Sequence, residues 1–477
     1  MKKSFSKYFA PSLRDARKRI HSIQIIDFNI EEKYQGLGNN KTYMVKTYGC
    51  QGNIADSEKI VGIMNALGYK EVFTEIEADV IFFNTCAIRE NAENRIYGEL
   101  GRLKGLKKNN PDLLICLCGC MPQEEVTIDL LREKYTQVDI VFGTHNIHKI
   151  PEYLYEAYMS SQRVLEVYSF EGEIIEGVPQ KRTHKARAWV DIMYGCDEFC
   201  TYCIVPYTRG KQRSRKSSDI LKEVKELKEN GYKEITLLGQ NVNAYGKDLE
   251  IPEDFASLLT NVAETGIERV RFVTSHPWDF TDEMIDVIAK YDNIMPYIHL
   301  PLQSGSTNIL RLMGRRYSKE EYLELFNKIR SKVKNATITT DIIVGFPNES
   351  EEDFNETLDV VDKCKFDGAF TFIYSPREGT PASKIKDSIS LEEKEKRLHI
   401  LNEKINSYSL ESNKKFLNKI VKVLVLGENE KDNNKVYGYT EEMKLVNIKA
   451  SKETIGEIIN VKIDDAKSFS LDGHIEK

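Results

Sequence analysis

No stretch of this 477-residue chain stays apolar for the roughly 18 residues that a membrane-spanning helix needs. That excludes a protein built on membrane helices, and no membrane partner is expected. The first twenty residues, MKKSFSKYFAPSLRDARKRI, are basic but lack the apolar segment of a secretory signal. The expected compartment is the reducing cytoplasm, where nine cysteines read as metal ligands or catalytic thiols before they read as disulfides. A cationic excess is missing as well. The chain has 68 Lys and Arg against 74 Asp and Glu, a net charge of −6, so as a whole it does not advertise nucleic-acid binding. The charge is uneven, however: from Lys181 to Lys216 nine basic residues face three acidic ones.

That basic segment contains the most informative absence. In YGCDEFCTYC, Tyr194 to Cys203, three cysteines fall within eight residues, and no fourth cysteine or histidine follows within reach. A closed zinc site takes four ligands. A set of three thiolates leaves one coordination position for something other than protein.

Length suggests about three domains of roughly 150 residues each. Residues 1–40 are polar, with a basic patch, and read as an extension, loosely ordered or draped over the body. From Lys41 short apolar runs alternate with helical segments. TYMVKTY, DVIFFNT, DLLICLC and VDIVFG are expected strands, and DSEKIVGIMNALGY and NAENRIYGELGRLKGLK expected helices. This alternation gives an α/β domain with a parallel sheet, over residues 41–159.

In such a sheet the carboxyl ends of the strands share one edge, where ligands bind. Cys50 ends the first strand, Cys86 the second, and Cys120 follows the third. Cysteines tens of residues apart are thereby expected to converge. Cys116 and Cys118 lie within the apolar run, where cysteine behaves as a small hydrophobe. Gly119 permits a turn that leaves Cys120 on the loop, with Cys118 the alternative. Cys364, in FNETLDVVDKCKF, is expected to be plain core.

A polar stretch from about Ser160 to Lys185 reads as a linker. A second α/β series over residues 182–412 carries the strands AWVDIMYG, EITLLGQN, RVRFVTSH, MPYIHLPLQ, TITTDIIVGF and GAFTFIYSP. Six such units make a partial (β/α)6 barrel, with chemistry at the carboxyl ends of its strands. The cluster Cys196, Cys200 and Cys203 directly follows the first of them. Over residues 413–477, KIVKVLVLGE, KVYGYT, MKLVNIKA and TIGEIINVKIDDA read as a small antiparallel β-barrel.

CxxxCxxC after the first barrel strand resembles the radical S-adenosylmethionine (SAM) superfamily. The resemblance implies that Cys196, Cys200 and Cys203 hold three irons of a 4Fe–4S cluster and that SAM takes the fourth. The wider set TYGCQGNIADSE, NTCAIRENAE, CGCMPQ, FGTHNIHKIP, YGCDEFCTYCIVPYTRGKQRSR, LLGQNVNAYG, TSHP, HLPLQSGS and DIIVGFPNESEEDF resembles the radical-SAM methylthiotransferases, from about Lys41 to the C-terminus. That family combines an N-terminal methylthiotransferase domain, a radical-SAM core and a C-terminal TRAM domain. It implies a second 4Fe–4S cluster on Cys50, Cys86 and Cys120.

The implied reaction is methylthiolation of carbon 2 of N(6)-dimethylallyladenosine at position 37 of tRNA, in the anticodon loop. One SAM serves as methyl donor and one as radical source. An electron donor and a sulfur source are implied partners. The unactivated C–H bond explains why radical chemistry is needed at all. The same architecture could act on threonylcarbamoyl-adenosine in tRNA or on an aspartate of a small-subunit ribosomal protein. A noncatalytic iron–sulfur RNA-binding protein is the reading from another class, and two intact cysteine sets argue against it.

Gly239 and Gln240, after the second barrel strand, match the superfamily's SAM contacts. Ser275 and Asp341, at later strand ends, are candidates for cofactor or substrate. His276 and His299 could be ligands, though a lone histidine is more often structural. Arg209, Lys211, Arg213 and Arg215 form a basic strip expected to meet RNA phosphates. Lys414, Lys415, Lys419 and Lys422 lead into the C-terminal barrel and offer a second such surface.

Overall fold

A computed structural model describes residues 23–476, apart from 88–89, 161, 168–172, 251–252 and 433. The chain divides into two units. One runs to Arg182 and adds Tyr194–Phe199 and Cys203–Arg213; the other takes Thr183–Met193, Cys200–Tyr202 and everything from Ser214 onward.

The first unit is built on a six-stranded, wholly parallel sheet. Its order is Lys70–Glu71, Thr42–Tyr48, Val80–Thr85, Leu114–Gly119, Ile140–Phe142 and Val164–Glu166. Strand Val80–Thr85 shows why it forms: Val80 and Phe82 enter one apolar layer, Ile81 and Phe83 the other. Helices Gln51–Ala66 and Ile150–Ser160 cover the first face, and Glu90–Asn109 and Glu125–Glu133 the second. A strand buried on both faces reads as a continuous apolar run, as DVIFFNT does.

Two expectations change here. The sixth strand comes from the stretch read as linker. The extension is partly built into the unit: Ile25–Asp27 pairs in parallel with Ile174–Glu176, and Tyr34 is buried. Residues 1–22 lie outside the described residues.

The second unit contains the barrel expected from six β/α repeats, as two parallel triplets. Glu234–Leu238 lies between Arg187–Asp191 and Arg269–Phe272, and Thr337–Val344 between Tyr297–His299 and Gly368–Ile373. A parallel bridge, Val270 to Ile294, joins the first triplet to the segment leading into the second. Helices start on side-chain caps. Ser350 and Asp353 form a reciprocal capping box at Glu351–Cys364, as do Ser318 and Glu321 at Lys319–Lys332. Cys364 is buried in this core, where burial pushes its thiol up to about 12.

The same unit ends in a closed five-stranded barrel: Ile420–Glu428, Val436–Thr440, Leu445–Lys449, Leu471–Ile475 and Ile458–Ala466, in that order around the ring. Four strands were legible in the sequence; the fifth, Leu471–Ile475, was not. The ring is antiparallel except where Leu445–Lys449 meets Leu471–Ile475 in parallel. An odd number of strands cannot alternate direction all the way around a closed ring.

This barrel is clamped to the core by buried charge. Glu234 is fully buried and pairs with Arg187 at 2.6 Å and Arg271 at 2.8 Å, with Arg269 at 4.0 Å. Arg269 donates to the carbonyls of Tyr439 and Lys422, both at 3.0 Å, and Arg271 to those of Glu441 at 2.9 Å and Thr440 at 2.7 Å. Val270 and Phe272, between and after the arginines, face the apolar core.

Candidate functional site

Cys50 caps the amino end of helix Gln51–Ala66. Its amide donates to Asn53 Oδ1 at 3.2 Å, and its thiol lies 3.5 Å from the same oxygen. Asn53 is fully buried and donates in turn to Asn84 Oδ1 and to the Thr85 carbonyl, each at 3.1 Å. Asn84 returns a bond to the Asn53 carbonyl at 2.8 Å and another to Ser57 Oγ at 2.9 Å. This amide lock joins the ends of the first two long strands. The Cys86 amide, next along, donates to the Tyr48 carbonyl at 3.0 Å.

Gly119 ends the third strand with φ +95°, and a Cβ there would lie 2.4 Å from the Thr85 carbonyl oxygen. Only glycine turns the chain so closely. The Cys120 amide then donates to that same carbonyl at 2.8 Å. Cys118 stays in the strand, within the apolar layer under helix Gln51–Ala66, its thiol 3.5 Å from the Phe83 carbonyl. Burial raises the Cys116 and Cys118 thiols well above the ordinary range. Cys120 instead joins Ala87, Ile204 and Tyr207 in a separate small cluster.

Three thiols thus meet at one sheet edge. A hydrogen bond from Cys86 is the largest influence on Cys50 and, with Arg209 and backbone amides, lowers its thiol to about 5 against the opposing effect of burial. Burial raises the Cys120 thiol, while Arg209 pulls it the other way. Arg209 itself is buried and donates to Asp56 Oδ2 at 2.7 Å. Burial works against its charge, but the Asp56 carboxylate and the Cys120 and Cys50 sulfurs outweigh it and hold the guanidinium cationic. Among the described residues no cysteine is in a disulfide and no group of three His, Cys, Asp or Glu side chains is already drawn to metal-holding geometry. The donor chemistry nonetheless fits an iron–sulfur cluster: thiols from three strand ends, one of them readily ionised, beside a fixed cation.

The second cysteine set is divided between the units. Cys196 and Cys203, both half-buried, go with the first, and the buried Cys200 with the second. The Cys196 amide donates to the Gly210 carbonyl at 3.1 Å. Gly195 is required before it, because φ is +74° and a Cβ would lie 2.1 Å from the Lys211 carbonyl oxygen. In the second unit Thr201 is pinned on three sides: its amide donates to the Met313 carbonyl at 2.9 Å, its hydroxyl to Leu312 at 2.7 Å, and its own carbonyl accepts from Ala382 at 2.9 Å. Phe199 has φ +47°, a strained value for a bulky residue and one more sign of a constrained loop.

Gly239 is buried where a Cβ would meet Met193 Cγ at 2.6 Å, and Gln240 beside it is half-buried. Ser275 is buried, and its hydroxyl has no partner among the described residues. Asn241 Oδ1 is in the same position, although its amide nitrogen donates to Asp279 Oδ2 at 2.7 Å. Orphaned buried acceptors and hydroxyls at strand ends suit a polar ligand. His276 is buried against Arg315 and the Trp278 ring, and burial keeps it neutral. His299 Nε2 lies 3.3 Å from Asp341 Oδ2, and its Nδ1 3.0 Å from Thr339 Oγ1.

The basic strip is not an open surface. Arg209, Arg213 and Arg215 are all buried, and only Lys211 is half-buried. Arg213 donates to the Arg209 carbonyl at 3.2 Å and lies 3.3 Å from His145 Nδ1. Arg215, in the second unit, pairs with Glu223 at 2.7 Å and donates to the Asp191 carbonyl at 2.6 Å. Charge density in the sequence suggests phosphate contact; instead Asp56, far away in the sequence, and the nearby Glu223 carboxylate and Arg209 and Asp191 carbonyls absorb these cations. By contrast Lys414, Lys415, Lys419 and Lys422 line the approach to the barrel, and all four are exposed.

Sequence reasoning passed over Asn53, Asp56, Asn84 and Arg315. Asn53 and Asp56 lie in the quoted GCQGNIADSE, in the first and second turns of the helix that Cys50 caps, which is the signal that could have found them.

Known families match the chain in three places. The Radical SAM superfamily matches residues 190–361, the uncharacterized protein family UPF0004 residues 42–143, and the TRAM domain residues 414–475. A parallel α/β domain with converging cysteines, a radical-SAM core and a TRAM barrel thus define a three-module radical-SAM protein. A tRNA-2-methylthio-N(6)-dimethylallyladenosine synthase of Staphylococcus epidermidis is 54% identical over 99% of this chain and 93% of that protein. One from Staphylococcus aureus is 53% identical over 100% of this chain and 94% of that protein. The chain belongs to the tRNA-2-methylthio-N(6)-dimethylallyladenosine synthase family. Among solved structures, the radical S-adenosylmethionine methyltransferase TsrM from Kitasatospora setae aligns with a TM-score of 0.52 at 14% identity, over 72% of this chain and 77% of that one. At that identity the likeness concerns the fold alone.

Proposed function

We infer that the protein methylthiolates carbon 2 of N(6)-dimethylallyladenosine at position 37 of tRNA. The observation that carries this is end-to-end similarity to synthases of that name, joined to the meeting of Cys50, Cys86 and Cys120 at one sheet edge beside Arg209. The alternative substrates, threonylcarbamoyl-adenosine and a ribosomal aspartate, have no comparable support.

Cys196, Cys200 and Cys203 would hold one 4Fe–4S cluster and Cys50, Cys86 and Cys120 the other. When bound with SAM, these groups supply radical abstraction at a C–H bond that acid–base catalysis cannot activate, together with the sulfur to replace it. The chain's own residues position and shield. The Asn53–Asn84 lock fixes the spacing between the Cys50 and Cys86 loops, and the Gly119 turn delivers Cys120 to them. Arg209, held by Asp56, offsets the negative charge of gathered thiolates in a buried place, where an unpaired charge is costly. Gly239 and Gln240 are assigned to the SAM methionyl group, and Ser275 and Asp341 to cofactor or substrate. Lys414, Lys415, Lys419 and Lys422 are assigned to RNA phosphates. Work in the cytoplasm, an electron donor and a sulfur source complete the proposal; no helix among the described residues is long and apolar enough to cross a membrane.

Nucleoside mass spectrometry of tRNA from a deletion strain tests the reading. Loss of the methylthio nucleoside, accumulation of N(6)-dimethylallyladenosine and rescue by the gene are expected. An unchanged nucleoside profile would refute it.

A further inference from the structure

The last core strand, Gly368–Ile373, presents two different faces. Ala369 and Ile373 pack on the apolar core, and Thr371 between them donates to Asn402 on helix Leu391–Lys414 at 2.5 Å. Phe370 and Phe372 therefore project to the opposite side, the inner face of the triplet. There they remain 56% and 44% exposed. Two large aromatics left half in water side by side on one sheet face form an apolar patch of the kind that marks a binding surface.

Neighbouring strands complete that face. Strand register sets Asp341 opposite Phe370 and Ile343 opposite Phe372. Beyond them, Thr339 Oγ1 donates to Tyr297 Oη at 3.0 Å and lies 3.0 Å from His299 Nδ1. His299 Nε2 faces Asp341 at 3.3 Å, and the His299 ring meets Phe370 edge-on, with centroids 6.0 Å apart. The polar members satisfy one another. What the face offers a ligand is apolar aromatic surface bordered by one carboxylate.

We propose that Phe370 and Phe372 receive the five-carbon N(6) substituent of the substrate adenosine, and that Asp341 disfavours an acidic substituent in the same place. This rests on the function proposed above. The occupant follows from chemistry. The dimethylallyl group is uncharged and gains by leaving water for an aromatic surface. A threonylcarbamoyl group would bring its own carboxylate beside Asp341, and like charges at close range cost affinity. The two phenylalanines thus read the modification that must already be present, which places a prenyl transfer to adenosine before this reaction.

The test uses reconstituted protein and three anticodon stem-loop RNAs that differ only at N(6) of the target adenosine: unmodified, dimethylallyl and threonylcarbamoyl. The wild type is expected to prefer the dimethylallyl RNA over the unmodified one by about tenfold or more, the scale set by a small apolar group in a fitted pocket. Phe370→Ala with Phe372→Ala should abolish that preference while binding unmodified RNA as the wild type does. Phe370→Leu with Phe372→Leu, which keeps apolar area and protects the fold, should retain most of it. Asp341→Asn should narrow the gap between dimethylallyl and threonylcarbamoyl RNAs. A preference that survives the double alanine change overturns the proposal. So does a fall in SAM affinity with the preference intact, because that assigns the face to the cofactor. Should the functional reading itself be wrong, the wild type would show no preference and the deletion strain would keep its methylthio nucleoside, which is a different result.

Discussion

Replacing Glu234 with Gln removes one negative charge from among three buried guanidiniums and changes almost no volume. Arg187, Arg269 and Arg271 are each at most 5% exposed, so water cannot take over the lost partner. Burial alone would raise the Glu234 carboxyl, but Arg271, Arg187 and Arg269 together hold it down at about 2. Relative to an ordinary value of 4.5, that is worth about 3 kcal/mol near neutral pH. Loss of one partner from a buried ion cluster costs about 3–5 kcal/mol by comparison with other proteins. The two figures agree.

The sign follows from the lowered carboxyl. Its contribution is complete above about pH 4.5 and is lost as pH falls towards about 2, where the folded protein also binds the proton. Arg269 and Arg271 carry the carbonyl bonds to the C-terminal barrel, so the barrel should loosen first. The assay is denaturant unfolding of wild type and Glu234→Gln at pH 7 and at several lower values, with limited proteolysis around residue 413 as a local readout. The expected result is a destabilisation of about 3–5 kcal/mol at pH 7, early cleavage near the barrel, and a difference that narrows below about pH 4.5. Equal stability at pH 7, or a gap unchanged by acid, would refute the reasoning.

Reconstituted without oxygen, the wild type should hold about eight irons; changing Cys196, Cys200 and Cys203 together to Ala should leave about half, as measured by iron and sulfide analysis. Cys120→Ala should lose the auxiliary cluster and Cys118→Ala should keep it, read by the same analysis and by electron paramagnetic resonance. Arg209→Leu should lower auxiliary-cluster iron without moving the radical-SAM cluster signal, because Asp56 and the thiols then lack their cation. Reversing Lys414, Lys415, Lys419 and Lys422 to Glu should weaken tRNA binding and flatten its salt dependence, by about 0.7–0.9 in log–log slope for each phosphate that a lysine no longer neutralises. SAM cleavage without tRNA should persist in that last variant. Charge reversal is a better probe than deletion of the barrel, which would strip Arg269 and Arg271 of four carbonyl partners.

Much of this molecule is written locally. DVIFFNT reads as a two-faced buried strand because successive residues must point to opposite sides, and they do. Cys50, Cys86 and Cys120 could be placed together because a parallel sheet brings its strand ends to one edge, and because Gly119 signals where the third strand turns. Neither inference needs knowledge of a distant residue. The charged side chains are another matter. Arg209, Arg213 and Arg215 read as part of a strip that meets RNA phosphates, yet Arg209 finds Asp56 across 153 residues of chain. Arg269 and Arg271, unremarkable in RVRF, become the clamp on a barrel about 170 residues later. Phe370 and Phe372 lie in the expected strand GAFTFIYSP, which does not say which of its faces is covered, and they are left half in water. Backbone periodicity and turn chemistry act between neighbours, so sequence alone determined them. Whether a cation is buried or free depends on which carboxylate or carbonyl arrives beside it, and only the tertiary structure decided that.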